Sequence, residues 1–327
     1  MACHFDSHWR HHGLECIRVE NEHVAIDVLP ELGAKIHRLI DKARDRDVLW
    51  HSPRVAPHQA PIHANFDDHW SGGWDEAFPG GAPSRNRYGD ELPYMGELWT
   101  QPAQWRLDRF ASEEVTVTFT ITTPITPARW ERRLTLRAGS PAVELAYRIE
   151  NVGYRPFDFN WGLHPVQAIS PAHRFDAPAR HAEVDEHGGG LLGNQGDRYE
   201  WPRFGELDMR CALGPEADDF ALHYLTDLQD GWVACTDTAS GRGFGLVFDR
   251  SLFRVVWLWL VYGGWRGYYQ AIMEPWTGYP SPLAEAVAAG RARTLEPGGV
   301  LETQIVAVVY GGVTSVSRLA EDGSVTP

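Results

Sequence analysis

The sequence predicts an all-β fold in which antiparallel sheets pack face to face. Three observations lead there. Period-two alternation of apolar residues recurs along the chain, Gly, Pro and Asn/Asp turns separate the alternating runs, and helical periodicity is convincing in one stretch only. In EHVAIDVLP the alternation puts Val24, Ile26 and Val28 on one face. EVTVTFTIT does the same with Val115, Val117, Phe119 and Ile121, RWERRLTL with Trp130, Arg132, Leu134 and Leu136, and AVELAYRIE with Val143, Leu145, Tyr147 and Ile149. GWVACTD, GFGLVFD, FRVVWLWLVY and ETQIVAVVYG add further strands. Each such strand has one face to bury, and a series of antiparallel strands buries it sheet against sheet. The one helix is expected in SPLAEAVAAG, with Ser281 as cap, Pro282 in the first turn and Gly290 as terminator.

Two stretches, 51–96 and 171–205, carry little strand signal and are rich in Gly, Pro, His and Asp. Loops of this length in a compact domain tend to carry function. No linker, fixed-period repeat or low-complexity tract divides the chain, so one domain over 1–327 is the economical reading, with a boundary near 171–205 as the alternative.

With 327 residues and 43% hydrophobic content the chain can bury a sizeable core. Its 44 acidic residues against 30 basic ones leave a formal net charge of -14 and no basic stripe, so nucleic-acid and membrane partners are not expected. The first thirty residues have no apolar run of the signal type, and no stretch is long and apolar enough for a spanning helix; a cytoplasmic location is expected. Cys3, Cys16, Cys211 and Cys235 are too dispersed for a CxxC pair or a bridged framework, which predicts reduced thiols.

Several segments resemble, in order, the aldose 1-epimerase (galactose mutarotase-like) superfamily. VLPELGAKIHRLIDKARDRDVLW is similar to its N-terminal hairpin. GGWDEAFPGG followed by LPYMGELWTQPAQW resembles the segment lining its sugar site, ERRLTLRAGSPAVELAYRIENVGYRPFDFNWGLHP the hairpin ending in its His-Pro motif, and AIMEPWTGYP with LEPGGVLE its C-terminal catalytic strand. The resemblance spans residues 24 to 310 and implies a galactose mutarotase-like super-sandwich with few short helices. It also implies a sugar on the concave face of the larger sheet and interconversion of anomers as the activity.

Anomerisation opens a hemiacetal, so one group takes the proton of the anomeric hydroxyl and another protonates the ring oxygen. Glu274 matches the family's catalytic glutamate. It lies between the apolar run YYQAIM and Pro275-Trp276, whose burial would raise its pKa, although a strand glutamate can equally face water. His164 matches the His-Pro histidine, against the alternative of a core histidine among aromatics. The expected roles are Glu274 as base and His164 as acid, giving a bell-shaped pH profile with a carboxylate lower limb and an imidazolium upper limb.

The chain departs from the family pattern at Met95 in PYMGE, where a histidine is the rule; a thioether has no proton to give. Asp75, Glu76, Arg85, Arg87 and Glu97 are candidate sugar contacts, against solvated loop charges, and Trp74, Trp99 and Trp259 are candidate stacking faces, against core residues. Of the fourteen tryptophans, about a third are expected near a ligand.

The histidine groups His58, His63, His69 and His4, His8, His11, His12 contain no HxH or HExxH spacing, and no GxGxxG or GxxxxGK[ST] loop is present. No metal and no cofactor are expected. The rival functions are a non-catalytic or regulatory sugar-binding protein, which Met95 would suit, and another enzyme, such as a lyase, working on an uncommon sugar from the same scaffold.

Overall fold

Val115, Val117, Phe119 and Ile121 are all buried along the strand Glu114–Thr122, as their spacing predicts. That strand pairs antiparallel with Gln104–Phe110 on one side and Ala128–Arg137 on the other. Beyond Ala128–Arg137 the same eight-stranded sheet continues through Ala142–Asn151, Val300–Gly311, Arg242–Phe248, Trp232–Asp237 and His173–Asp176. A computed structural model describes residues 2–327 of the chain.

The second sheet has twelve strands. Its middle runs Trp74–Ala77, Gly162–Gln167, Tyr269–Trp276, Val255–Tyr262, Asp219–Thr226 and His181–His187, each antiparallel to its neighbour. Trp74, Leu163, Leu258, Ala271 and Met273 from this sheet share one apolar core with Trp130, Leu134, Leu145, Tyr147 and Ile149 from the other. Sheet therefore packs on sheet, as predicted.

Two sequence expectations change. The stretch 171–205 holds the strands His173–Asp176, His181–His187 and Arg198–Glu200, the first in the eight-stranded sheet and the others in the larger one. It is a crossover between sheets, hidden in the sequence because its strands are short and mostly polar. The helix forms at Leu283–Ala288, burying Leu283 and Ala286, and Gly290 follows it with φ 67°. Ser281 does not cap that helix: Pro282 holds the cap position, and Ser281 Oγ instead accepts the Ala82 N–H at 2.9 Å.

The inner face of the larger sheet is used up by the shared core, yet its outer face is apolar as well. Phe66, Trp70, Met95, Trp99, Val166, Trp257, Ile272 and Trp276 form a second cluster there, with much of it supplied by the 51–96 stretch. All four cysteines are free. Among the described residues no helix is long and apolar enough to cross a membrane.

Candidate functional site

The strand Tyr269–Trp276 is buried on both faces, and its alternation sends Ala271 and Met273 into the shared core and Ile272, Glu274 and Trp276 to the outer cluster. The neighbouring strand Gly162–Gln167 is paired to it at Gly162↔Trp276 and Val166↔Ile272. Midway between those pairs His164 stands opposite Glu274, so the two side chains leave the sheet on the same face. On the other flank the register Trp257↔Glu274 and Trp259↔Ile272 adds two indoles to that face.

These side chains line an open cavity of about 620 Å³, walled by Phe66, Trp70, Tyr94, Met95, Trp257, Trp259 and Trp265 and carrying the polar groups Asp67, His164, Glu186, Glu274 and Ser281. Aromatic walls around a few convergent polar groups suit a small ring with polar edges and apolar C–H faces. Glu274 is 3% exposed and His164 7% exposed, so neither is a solvated surface group.

Burial acts on the pair in opposite senses. Glu274 is raised well above the ordinary carboxylate range by desolvation, opposed only by the Trp276 indole N–H that donates to Oε2 at 2.9 Å. His164 is pushed down to about 3, first by desolvation and then by the charge of Lys35. That lysine is itself buried, 3.1 Å from Asp75 Oδ2, and donates to the Gly72 carbonyl at 2.8 Å. Burial thus favours the uncharged form of both groups, the neutral carboxyl and the neutral imidazole. The sequence reading expects a carboxylate base facing an imidazolium acid, and desolvation disfavours both of those charged forms.

Edge-on contacts from Phe66 and Trp70 hold the imidazole, with ring centroids 5.8 and 5.4 Å away. Trp276 lies flat against Trp257 at 3.8 Å, which fixes the indole that holds Glu274. Behind Trp257, Tyr224 donates to Asp185 at 2.6 Å and accepts the Ser281 N–H at 3.0 Å. Met95 reaches the wall from a left-handed backbone, φ 58°. Gly96 after it is held against the Phe78 main chain, where a Cβ would come within 2.1 Å of the carbonyl oxygen.

Of the residues singled out in the sequence, Glu274, His164 and Trp259 line this cavity together with Met95, and the rest do not. Trp74 and Glu76 alternate to the opposite face of Trp74–Ala77. Trp74 is fully buried against Phe244, and Glu76 lies between the sheets, where it accepts from Tyr147 at 2.6 Å and Trp161 at 2.8 Å and pairs with Arg132 at 3.4 Å. Asp75 does face the outer side but is occupied by Lys35. Glu97 pins a distant loop by accepting the N–H groups of Ile125 and Thr126 at 2.7 and 2.9 Å. Arg87 is held by Asp158 at 2.7 Å, and Arg85 pairs with Glu91 on the surface. Trp99 is a second layer, donating to the Tyr94 carbonyl at 3.1 Å and edge-on to Phe66.

Four of the fourteen tryptophans line the cavity, and Trp70, Trp257 and Trp265 among them are not singled out by the sequence reading. Trp257 does carry a signal: VVWLWLV places it on the same face as Trp259. Asp67 and Trp70 come from the long loop, which has no period to read. His58 and His69 bond each other at 2.7 Å, and His11 bonds His37 at 3.0 Å.

A second cavity of about 480 Å³ opens elsewhere, among Asp41, Arg46, His173, Asp237 and Arg242. Its charges are matched within the chain, Arg242 with Asp41 at 2.7 Å and Arg46 with Asp237 at 3.3 Å, so it offers no comparable acid–base pair.

No protein-family model matches the sequence. Solved structures do. A protein from Klebsiella pneumoniae subsp. pneumoniae, named provisionally as an aldose 1-epimerase, superposes with a TM-score of 0.72 at 16% identity, over 91% of this chain and 79% of its own. The Slr1438 protein of Synechocystis sp. gives 0.69 at 14% identity over 94% and 100%. A galactose mutarotase-like protein of Clostridium acetobutylicum gives 0.68 at 12% over 95% and 99%. At identities this low what is shared is the architecture: the chain has the galactose mutarotase-like fold.

Proposed function

We propose that this chain is an isomerase of the mutarotase type, interconverting the anomers of a free aldose through ring opening by His164 and Glu274. The observation that carries the reading is the opposition of these two buried groups, with pKa values driven apart, on the floor of a tryptophan-walled cavity. In the resting state the neutral imidazole takes the proton of the anomeric hydroxyl. The C1–O1 bond becomes a carbonyl, the bond from C1 to the ring oxygen breaks, and the Glu274 carboxyl delivers its proton to that oxygen. Rotation about C1–C2 and reclosure run the same transfers backwards, so the step needs no outside proton, metal or cofactor.

The charged groups lining the cavity are acidic, and no Lys or Arg is among them in the described residues, which favours an uncharged sugar over a phosphorylated one. Free thiols and the absence of a basic patch fit a cytoplasmic enzyme acting on a small molecule. Residues 1–327 act as one unit in this reading, since a single core joins residues from Cys3 to Val309 beneath the cavity.

Anomer exchange by NMR tests it. The wild type should transfer saturation between anomers of at least one aldose, and Glu274→Gln should abolish transfer while still binding that sugar. Transfer unaffected by the substitution would sink the assignment. A second reading rests on Met95, whose thioether gives the wall no donor: a sugar-binding protein without catalysis, which the same experiment detects as binding with no transfer by the wild type.

A further inference from the structure

Between the strands that carry His164 and Glu274 the ladder is interrupted. Pairing is present at Gly162↔Trp276, Val166↔Ile272 and Gln167↔Ala271, but not over 163–165 opposite 273–275. The cause is in the sequence: Pro165 and Pro275 sit in this gap on opposite strands, and neither has an N–H to donate. A main-chain N–H or C=O that loses its partner in a buried sheet costs about as much as a lost hydrogen bond.

One side chain fills the gap. Gln167, 3% exposed, accepts the Met273 N–H on its Oε1 at 3.2 Å and donates from Nε2 to the Pro165 carbonyl at 2.6 Å. Its amide bridges the Met273 N–H and the Pro165 C=O, which stand opposite each other on the two strands. Pro165 follows His164 and Met273 precedes Glu274, so the residues clamped are the immediate neighbours of the pair. The clamp lies on the inner face, where Met273 is part of the shared core, and the pair lies on the outer one.

We infer that Gln167 is a positioning residue for the reaction proposed above, its side-chain amide setting the separation and height of His164 relative to Glu274 by bridging the strands where two prolines interrupt the ladder. It does not touch the cavity wall, so it should govern the geometry of proton transfer and leave sugar stacking alone. Displacement of reacting groups by about 1 Å costs roughly 10²-fold in rate.

Two variants of the full chain test this inference, which rests on the mutarotase reading. Gln167→Leu keeps the volume and removes both bonds; kcat for anomer exchange should fall roughly 10²-fold with KM within about twofold of wild type. Gln167→Glu keeps the acceptor for Met273 but, ionised, sets a carboxylate against the Pro165 carbonyl. Its activity should be low at neutral pH and recover toward acid pH, where the protonated carboxyl can donate again. The acid recovery separates positioning from a loss of fold and stands as the test even if Gln167→Leu does not fold.

Folded variants with wild-type kcat, or with KM raised and kcat kept, overturn the inference. A wild type that exchanges no sugar sinks the proposed function instead. The inference is then read from the His164 imidazole nitrogen shifts: a change between wild type and either folded variant supports it, and identical shifts overturn it.

Discussion

Trp276 donates its indole N–H to Glu274 Oε2 at 2.9 Å while its ring lies flat on Trp257 at 3.8 Å. The bond favours the charged carboxylate, against a desolvation that favours the neutral acid. Trp276→Phe keeps an aromatic face on Trp257 and loses only the donor, so Glu274 should be raised further. If Glu274 is the resting acid, activity is lost as pH rises through its pKa, and the upper limb of the kcat/KM profile should move up by roughly one unit, about 1.4 kcal/mol. A lower limb that moves instead would return Glu274 to the role of resting base.

The lower limb belongs to His164 in the same scheme. With a pKa pushed down to about 3, the imidazole stays neutral through the physiological range and the rate should fall only in strong acid. Lys35→Gln removes a positive charge that lowers it, so the lower limb should shift upward, as a pH series of exchange rates would reveal. An unmoved limb means that another group titrates there.

His164→Gln should reduce exchange by roughly 10²–10⁴-fold, the usual worth of one positioned proton carrier. Sugar affinity, measured by calorimetry, should change much less, because the indole walls are untouched. Loss of fold without any effect on sugar contacts would instead mark His164 as a core residue.

Glucose 6-phosphate should bind at least about tenfold more weakly than glucose, with the gap widening at low salt, since the cavity lining carries Asp67 and Glu186 and, among the described residues, no Lys or Arg. Titrations of both sugars at two ionic strengths decide it. Equal affinities would mean that the phosphate is carried outside the acidic field.

Arg132 is fully buried between the sheets with Glu76 and also donates to the Ala34 carbonyl. Arg132→Met should destabilise the fold by about 3–5 kcal/mol in denaturant unfolding, because it strands Glu76 in the core. Glu76, already raised to about 7 by burial despite Arg132, should then titrate higher still. A group whose folded pKa is raised stabilises the fold below its unfolded pKa, and that contribution fades as pH climbs through the folded value. The variant should therefore be closest to wild type in acid; a deficit independent of pH would count against this origin.

The alternation of Val115, Val117, Phe119 and Ile121, and of its counterparts in other strands, follows from the pleat of an extended chain. Strands, buried faces and the all-β class are therefore local properties that a sequence carries by itself. The burial of Glu274 is legible only in part, since its apolar neighbours leave open a face turned to water. The polar strands of 171–205 are not, because pairing across the sheets holds them where propensity does not.

What only the tertiary structure decided is which residues meet. In Trp74–Ala77 both faces of the strand are buried, one against the second sheet and one under the loop, so nothing local distinguishes Glu76, sealed in the core, from Asp75, one position away on the cavity side. His164 faces Glu274 through the register of two strands distant in the chain, and the charges on that pair follow from how completely the surrounding indoles exclude water. Strand periodicity is a property of neighbouring residues, whereas register and desolvation arise only when remote segments pack, and the chemistry proposed for this protein depends on the latter two.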